Sequence, residues 1–246
     1  MIDRIPDKLV AILKRAQRIT VLTGAGISAE SGVPTFRDAQ SGLWERYRPE
    51  ELATPEAFQR NPRLVWEWYT WRRELVSQAK PNPGHNALVK MERSVPQFTL
   101  VTQNVDGLHR RAGSLNVLEL HGDIRRTKCS REGTLIESWS ETSDIPPRCP
   151  HCGGLMRPDV VWFGEALPAK VLELAWLAAQ DCDVFFSIGT SAVVYPAATL
   201  PDLAMQKLIP VVEINPVETP LSNQASYILN GLAGEILPAL VQSVWL

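Results

Sequence analysis

A histidine follows the apolar run at residues 117–120 and precedes a glycine, in Leu120-His121-Gly122. A lone histidine at a strand end is more often a structural residue with its hydrogen bonds satisfied. This one would stand at the edge where an open parallel sheet takes ligands, and an imidazole can accept a proton near neutral pH. His121 is therefore the candidate general base. Gln103, Asn104 and Asp106 place three amide or acid side chains within four residues, directly after the apolar run at 98–102. Asn and Asp there commonly mean only a turn, but three such groups at a ligand edge point to binding. The run at 19–22 stops at Thr23 and opens into Gly24-Ala25-Gly26. That is a turn too tight for side chains, with backbone amides able to face an anion. Read as G-x-G-x-x-A, with Ala29 in the third slot, it is a dinucleotide-binding pattern. On its own the pattern is weak, because any tight turn before a helix looks similar.

Two further sets of residues could do chemistry. Tyr69 and Arg72 are spaced i, i+3 on a predicted helix and can point to one side. By spacing alone they read as a core tyrosine and a solvated arginine. A phenol beside a guanidinium is nevertheless a good receptor for a carboxylate. Cys149 and Cys152 form a C-x-x-C pair, and Cys129 opens a second pair whose other place is Glu132. Two complete C-x-x-C pairs at such spacing would signal a structural zinc site. Since a carboxylate can also bind zinc, both a site of three cysteines with Glu132 and a weak or empty one held by packing stay open. His151 would strain to reach the same metal. Cys182, before a buried strand, reads as an inert core thiol, and His85 and His109 read as structural.

The elements that must position these groups alternate. A helix at 7–17 precedes the strand at 19–22; helices with many aromatics occupy 38–80; a turn at 81–84 leads to a helix at 85–93. Thr54-Pro55-Glu56 reads as an N-cap followed by a first-turn proline. Strands follow at 98–102 and 117–120, then a helix at 169–180, strands at 184–188, 208–214 and 227–229, and a helix at 233–246. Such alternation implies an α/β fold, a Rossmann-like parallel sheet flanked by helices. Where an ordinary Rossmann unit has its second strand, Ser31-Gly32-Val33-Pro34 breaks the helix and a polar loop follows, so a helical insertion is expected. Residues 123–159 are charged, hold three of the four cysteines, and read as a small inserted zinc-ribbon-like module. The polar clusters, with Gly189-Thr190-Ser191 and Asn215, fall at strand C-termini.

Length and composition fit this reading. The chain has 246 residues, 45% hydrophobic, enough for a real core. The formal net charge of −2 gives no basic field for nucleic acid. No stretch has the length a bilayer needs, and the N-terminus lacks the apolar segment of a signal peptide. The cysteine usage suits a reducing compartment. A cytoplasmic monomer is expected, with no nucleic-acid or membrane partner.

These pieces together resemble the sirtuins, the NAD-dependent protein-lysine deacylases. The resemblance rests on Gly24-Ala25-Gly26-Ile27-Ser28, Ser31-Gly32-Val33-Pro34-Thr35-Phe36-Arg37, Thr102-Gln103-Asn104-Val105-Asp106-Gly107-Leu108-His109 and Leu120-His121-Gly122. It continues through Arg157-Pro158-Asp159-Val160-Val161-Trp162-Phe163-Gly164-Glu165, Gly189-Thr190-Ser191 and Asn215, in family order over nearly the whole chain. It implies a single catalytic unit: a large domain of residues 1–37, 81–122 and 160–246, a helical insertion at 38–80, and a zinc module at 123–159. It implies NAD at Gly24, Ala25, Gly26, Ser28, Gly189, Thr190, Ser191, Asn215 and Ala233. Thr35, Phe36 and Arg37 would lie in a loop closing over it, and Gln103, Asn104 and Asp106 would hold the nicotinamide and its ribose.

The resemblance also implies the reaction. The acyl-lysine carbonyl oxygen attacks the nicotinamide ribose at C1′, nicotinamide leaves, His121 activates a ribose hydroxyl, and lysine and O-acyl-ADP-ribose are released. Val160, Val161, Trp162, Phe163, Gly164 and Glu165 would form a backbone rail for the substrate peptide, with Val161 and Phe163 flanking the lysine tunnel. Tyr69-x-x-Arg72 matches the bacterial subclass that removes succinyl and malonyl as well as acetyl groups. Acyl-lysine peptides and proteins are thus the expected partners, and structural zinc at Cys129, Cys149 and Cys152 the expected metal, with Glu132 standing where a four-cysteine site has its fourth ligand. Two other functions share features with this one. A nicotinamide-dependent dehydrogenase needs an acidic residue after a second strand, which is not seen. An NAD or ADP-ribose binding module, or a mono-ADP-ribosyltransferase, would use the same site.

Overall fold

The computed structural model describes residues 5–34, 48–139 and 144–246. In chain order, helix α1 (Asp7–Arg15) leads to strand β1 (Arg18–Thr23), and the one-turn helix α2 (Gly26–Ala29) follows. Four helices come next: α3 (Pro49–Leu52), α4 (Pro55–Arg60), α5 (Pro62–Gln78) and α6 (Pro83–Ser94). Strand β2 (Gln97–Thr102), helix α7 (Leu108–Ala112) and strand β3 (Val117–Glu119) precede a two-stranded excursion, β4 (Gly122–Cys129) and β5 (Met156–Val160). Then come helix α8 (Ala169–Gln180), strand β6 (Val184–Ile188), helix α9 (Leu200–Gln206), strands β7 (Val211–Asn215) and β8 (Tyr227–Asn230), and helix α10 (Ala233–Trp245).

Six strands form one parallel sheet in the order β3-β2-β1-β6-β7-β8. Counted among themselves along the chain, they stand 3-2-1-4-5-6, the doubly wound order of dinucleotide-binding folds. The central strands are apolar on both faces because both are covered. Ile19, Val21, Leu100 and Phe186 pack with α1, α6 and α10, whereas Leu22, Val101 and Phe185 pack with α8 and α9. Adjacent Phe185 and Phe186 thus serve opposite cores, as strand alternation demands.

Capping sets the helix starts of the insertion. The Thr54 side chain accepts from Ala57 N–H, Asn61 from Leu64 N–H, and Asn82 from Gly84 and His85 N–H, with proline next to each cap. The last case extends the sequence reading: Pro83 and Gly84 belong to the first turn of α6 rather than to a preceding turn, since proline there sacrifices no hydrogen bond. Between β1 and β2 the described residues hold α2–α6 and no strand. Helices α4 and α5 instead bury Phe58, Val65 and Trp68 against Ile124, Val160 and Trp162. Among the described residues, no helix is long and apolar enough to cross a membrane.

Candidate active site

A cavity of about 600 Å³ opens where the strand order reverses between β1 and β6, beside the C-terminal ends of β1, β2 and β6. Its first wall is two backbone turns pressed together. A Cβ on Gly24 would stand 2.7 Å from Gly189 O, and one on Gly26 would stand 2.7 Å from Gly189 Cα. The glycines are therefore required by this mutual packing as well as by any ligand. Gly24 N–H donates to Ile188 O and Gly26 N–H to Gly189 O. These two amides are spent within the chain, which leaves neighbouring amides of the turns to face an anion. Among the described residues no backbone carbonyl takes the amides of Ala25, Thr190 or Ser191, and all three residues line the cavity.

The second wall comes from β2 and β3. Gln103 Nε2 donates to Thr190 Oγ1 at 3.1 Å, and Asn104 Nδ2 to Gly24 O at 3.0 Å and Ser28 Oγ at 3.1 Å. Asn104 thereby spends its donors on the chain and keeps its amide oxygen as acceptor. Buried Asp106 accepts from Leu108 N–H at 2.8 Å. Burial pushes its carboxyl up, against that bond and one from the Ser28 hydroxyl. His121 Nδ1 lies 2.9 Å from Gln103 O. A carbonyl only accepts, so Nδ1 carries the proton and Nε2 keeps its lone pair. Burial lowers the His121 pKa, partly offset by the bond to Gln103, so the ring is a neutral base at neutral pH.

The third wall is α5 and the segment after β5. Tyr69 and Arg72 both line the cavity. The Tyr69 hydroxyl accepts the Trp162 indole N–H at 3.0 Å, and the Arg72 guanidinium stands 5.0 Å from the centre of the Trp68 ring. Burial pushes the Tyr69 phenol up to about 12 and Arg72 down, the latter opposed by Tyr69. The rail expected at 160–165 is more internally committed than the sequence suggested. Strand β5 ends at Val160, and the N–H groups of Val161, Trp162 and Phe163 go to His121 O, Glu165 Oε2 and Ala53 O. The Glu165 carboxylate is held by Arg157, at 2.5 and 2.9 Å. The Trp162 side chain is only 3% exposed. A peptide pairing here would therefore donate to carbonyls of the segment rather than accept from these amides.

Gly164, Phe163 and Val161 also line the cavity. Asn215 and Ala233 do not: Asn215 Nδ2 supports Thr190 O at 2.8 Å, and Ala233 is buried at the start of α10. Thr35, Phe36 and Arg37 lie outside the described residues. Sequence reasoning missed the opposite lip, Val194, Tyr195 and Pro196, with Tyr195 71% exposed. Its signal was an apolar Val193-Val194-Tyr195 run just after a polar strand end. It also gave no role to Arg157, a buried cation inside a motif it had noted.

Away from the cavity, the ligand atoms of Cys129, Glu132, Cys149 and Cys152 all lie within 4.8 Å of one another. Thiolates at tetrahedral zinc stand about 3.8 Å apart for Zn–S bonds near 2.3 Å, so the donors fit structural zinc. The two halves repeat one turn. Gly133 N–H closes on Cys129 O at 3.0 Å and Gly153 N–H on Cys149 O at 2.9 Å, both glycines at φ +70°. Glu132 thus takes the place that Cys152 takes in the other turn. His151 is exposed and outside the cluster. Cys182 is buried with its thiol pushed up to about 11 by burial, an inert core group as read.

Comparison with known proteins adds three findings. The model of the Sir2 family matches residues 24–196. The NAD-dependent protein deacylase of Aquifex aeolicus is 56% identical over 208 residues, covering 84% of this chain and 87% of that protein. That of Methylococcus capsulatus is 48% identical over 246 residues, covering 97% and 96%. Among solved structures, a Sir2 homologue in complex with NAD superposes with a TM-score of 0.91 at 49% identity, covering 98% and 94% of the two chains. A Sir2 complex with p53 peptide and NAD+ gives 0.83 at 31%, covering 96% of each.

Proposed function

The chain belongs to the Sir2 family and is an NAD-dependent protein deacylase, and from its cavity we propose that it removes succinyl and malonyl as well as acetyl groups from lysine. The products in this reading are nicotinamide, free lysine and O-acyl-ADP-ribose. One observation carries the acyl assignment: Tyr69 and Arg72 reach the same cavity as His121 and Asn104. Phenol and guanidinium side by side suit a carboxylate, and Arg offers it two parallel donors.

Bound NAD supplies an electrophilic ribose carbon and a leaving nicotinamide. The chain's own residues do the rest. The amides of Ala25, Thr190 and Ser191 bind the diphosphate, with Gly24, Gly26 and Gly189 setting the turns that carry them. The relatives that bind NAD support this assignment. Asn104 and Gln103 orient the nicotinamide ribose, Ser28 and Asp106 hold that end of the cavity, and His121 Nε2 accepts a ribose hydroxyl proton. Asn215 and Ala233 act from behind the wall, Asn215 through its bond to Thr190 O. Residues 161–164 guide the acyl-lysine. Residues 1–37, 81–122 and 160–246 form the cofactor-binding body, 38–80 the acyl-pocket insertion and 123–159 the zinc module.

The test is mass spectrometry on matched acetyl- and succinyl-lysine peptides, with and without NAD, for wild type and Arg72→Ala. NAD-dependent loss of both acyl groups is expected, with the succinyl-to-acetyl ratio of kcat/KM falling at least about tenfold in the variant, as for a lost charged hydrogen bond. An unchanged ratio makes Arg72 structural and removes the acidic-acyl assignment. Turnover of neither peptide leaves an NAD-binding module, and ADP-ribose transfer without acyl-lysine leaves a transferase.

A further inference from the structure

Trp162 stands on the pocket side of the small two-stranded sheet, and four neighbours fix it. The Arg157 guanidinium lies 3.2 Å from its ring centre. Glu165 takes its backbone N–H at 2.8 Å while pairing with that same guanidinium. Phe58 packs with ring centres 5.2 Å apart, and Tyr69 at 6.4 Å. Arg157 Nη2 also donates to Val160 O at 2.8 Å, tying the base of the assembly to the end of β5. The one polar atom of the indole, Nε1, donates to the Tyr69 hydroxyl.

That last bond has a defined polarity. An indole N–H can only donate, so the phenol oxygen must accept. A phenolic proton prefers the plane of its ring, which leaves two positions for it. A hydroxyl proton on the side of Trp162 would crowd the incoming indole N–H. The Tyr69 proton is thereby turned to the other, away from Trp162. Burial keeps the phenol protonated, up to about 12, so the oriented donor persists at every physiological pH.

We infer that Trp162 is a positioning residue for acyl choice: its indole N–H turns the Tyr69 hydroxyl proton out as a preset donor that, with Arg72, receives the carboxylate of an acidic acyl group. This rests on the acidic-acyl reading proposed above. Orientation is settled before the acyl group arrives, so no rotational freedom of the hydroxyl is lost on binding. Acetyl has no carboxylate to receive that proton. The effect of Trp162 must therefore differ between the two substrates, whatever loss they share.

The experiment measures kcat and KM for matched succinyl- and acetyl-lysine peptides with saturating NAD, on wild type, Trp162→Phe, Tyr69→Phe and the double variant. Phenylalanine keeps an aromatic face for Arg157 and deletes the N–H. The succinyl-to-acetyl ratio of kcat/KM should fall about twofold in Trp162→Phe, the loss for a proton free between two positions, mainly through KM for the succinyl peptide. In the double variant it should fall no further than in Tyr69→Phe, because the two residues act through one proton. An unchanged ratio in Trp162→Phe, or independent losses that multiply in the double variant, overturns the inference. Should Trp162→Phe fail to fold, Tyr69→Phe decides alone, and an unchanged ratio there overturns it too. Wild type that leaves succinyl-lysine untouched overturns the acidic-acyl reading itself, a result distinct from a wild type that desuccinylates and a variant that matches it.

Discussion

The bond from His121 Nδ1 to Gln103 O and the burial of the ring act on the same side chain in different ways. The bond selects the tautomer and leaves Nε2 basic. Burial penalises the imidazolium and lowers the pKa, so the base stays neutral to a lower pH than an ordinary histidine would. The acidic limb of kcat/KM against pH should therefore fall below about 6.5, the ordinary histidine value. A limb at or above that value would mean another group titrates there. His121→Ala should lower kcat by about 10²–10⁴, the range for loss of a general base, measured as nicotinamide released with an acetyl peptide. Asn104 was equally legible in the sequence as a polar strand end, but its partners, Gly24 O and Ser28 Oγ, sit 80 and 76 residues away. Only the fold brings them together.

Helix α5 is the element that joins the cavity to the metal module. Its Tyr69 and Arg72 line the cavity, while Arg73 donates to Ile124 O, Arg126 O and Thr127 Oγ1 on β4. Trp66 packs on the core of Cys129, Ile136, Cys149 and Met156. The metal module therefore underpins the helix that carries Tyr69 and Arg72. The repeated turn sets Glu132 among the three cysteines where a fourth donor would stand, and Glu132→Ala should release zinc to a chelator at least about tenfold more readily than wild type, by the scale of losses seen even for outer-shell partners. Cys149→Ser should do so further, and Glu132→Cys should hold zinc as tightly as wild type or tighter. Metal content after dialysis and melting temperature read this out, and equal retention by wild type and Glu132→Ala would remove Glu132 from the site. Cysteine spacing made the module legible but left the fourth ligand open, because composition does not say which way a carboxylate points. Gly133 and Gly153, each one residue after a ligand position, were the available clue. The strands were legible for a simpler reason: a strand covered on both faces reads as a continuous apolar run, as 184–188 does. The internal ties of the segment at 160–165 were not legible, because its amides go to Ala53, His121 and Glu165, contacts that no local pattern announces.

Across the whole molecule, acid should act first on the buried histidines, on His121 and on two others that stand behind the cavity. His85 and His109 are buried with ring centres 4.8 Å apart, at the meeting of α6, α7 and the end of β1. His85 Nδ1 accepts from Asn82 N–H, and Asn82 in turn donates to Ile27 O and Ser31 Oγ. His109 Nε2 meets Thr23 Oγ1, which donates to Thr102 Oγ1. The pair therefore ties the strand ends behind the cavity to α2 and the start of α6. Burial lowers His85 to about 4, and burial with the neighbouring His85 lowers His109 well below the ordinary value. In the unfolded chain both would take protons near 6.5. Between that pH and about 4 the unfolded state binds more protons, so folding stability is complete above the window and falls as pH drops through it. Each ring adds a slope of up to about 1.4 kcal/mol per pH unit, and His85 alone about 3 kcal/mol by pH 4. The carboxylates with lowered pKa, Glu165 and Asp183, lose their contribution only at the acid end of this range or below it, and Asp106, pushed up, works in the opposite direction. Urea unfolding at pH 7, 6 and 5 should therefore show stability falling before the carboxylates titrate. His85→Gln, which keeps an acceptor for Asn82, should flatten that fall. If the two proteins lose stability in parallel from pH 7 to 5, the buried pair is not what acid opens, and the weak point of the fold lies elsewhere.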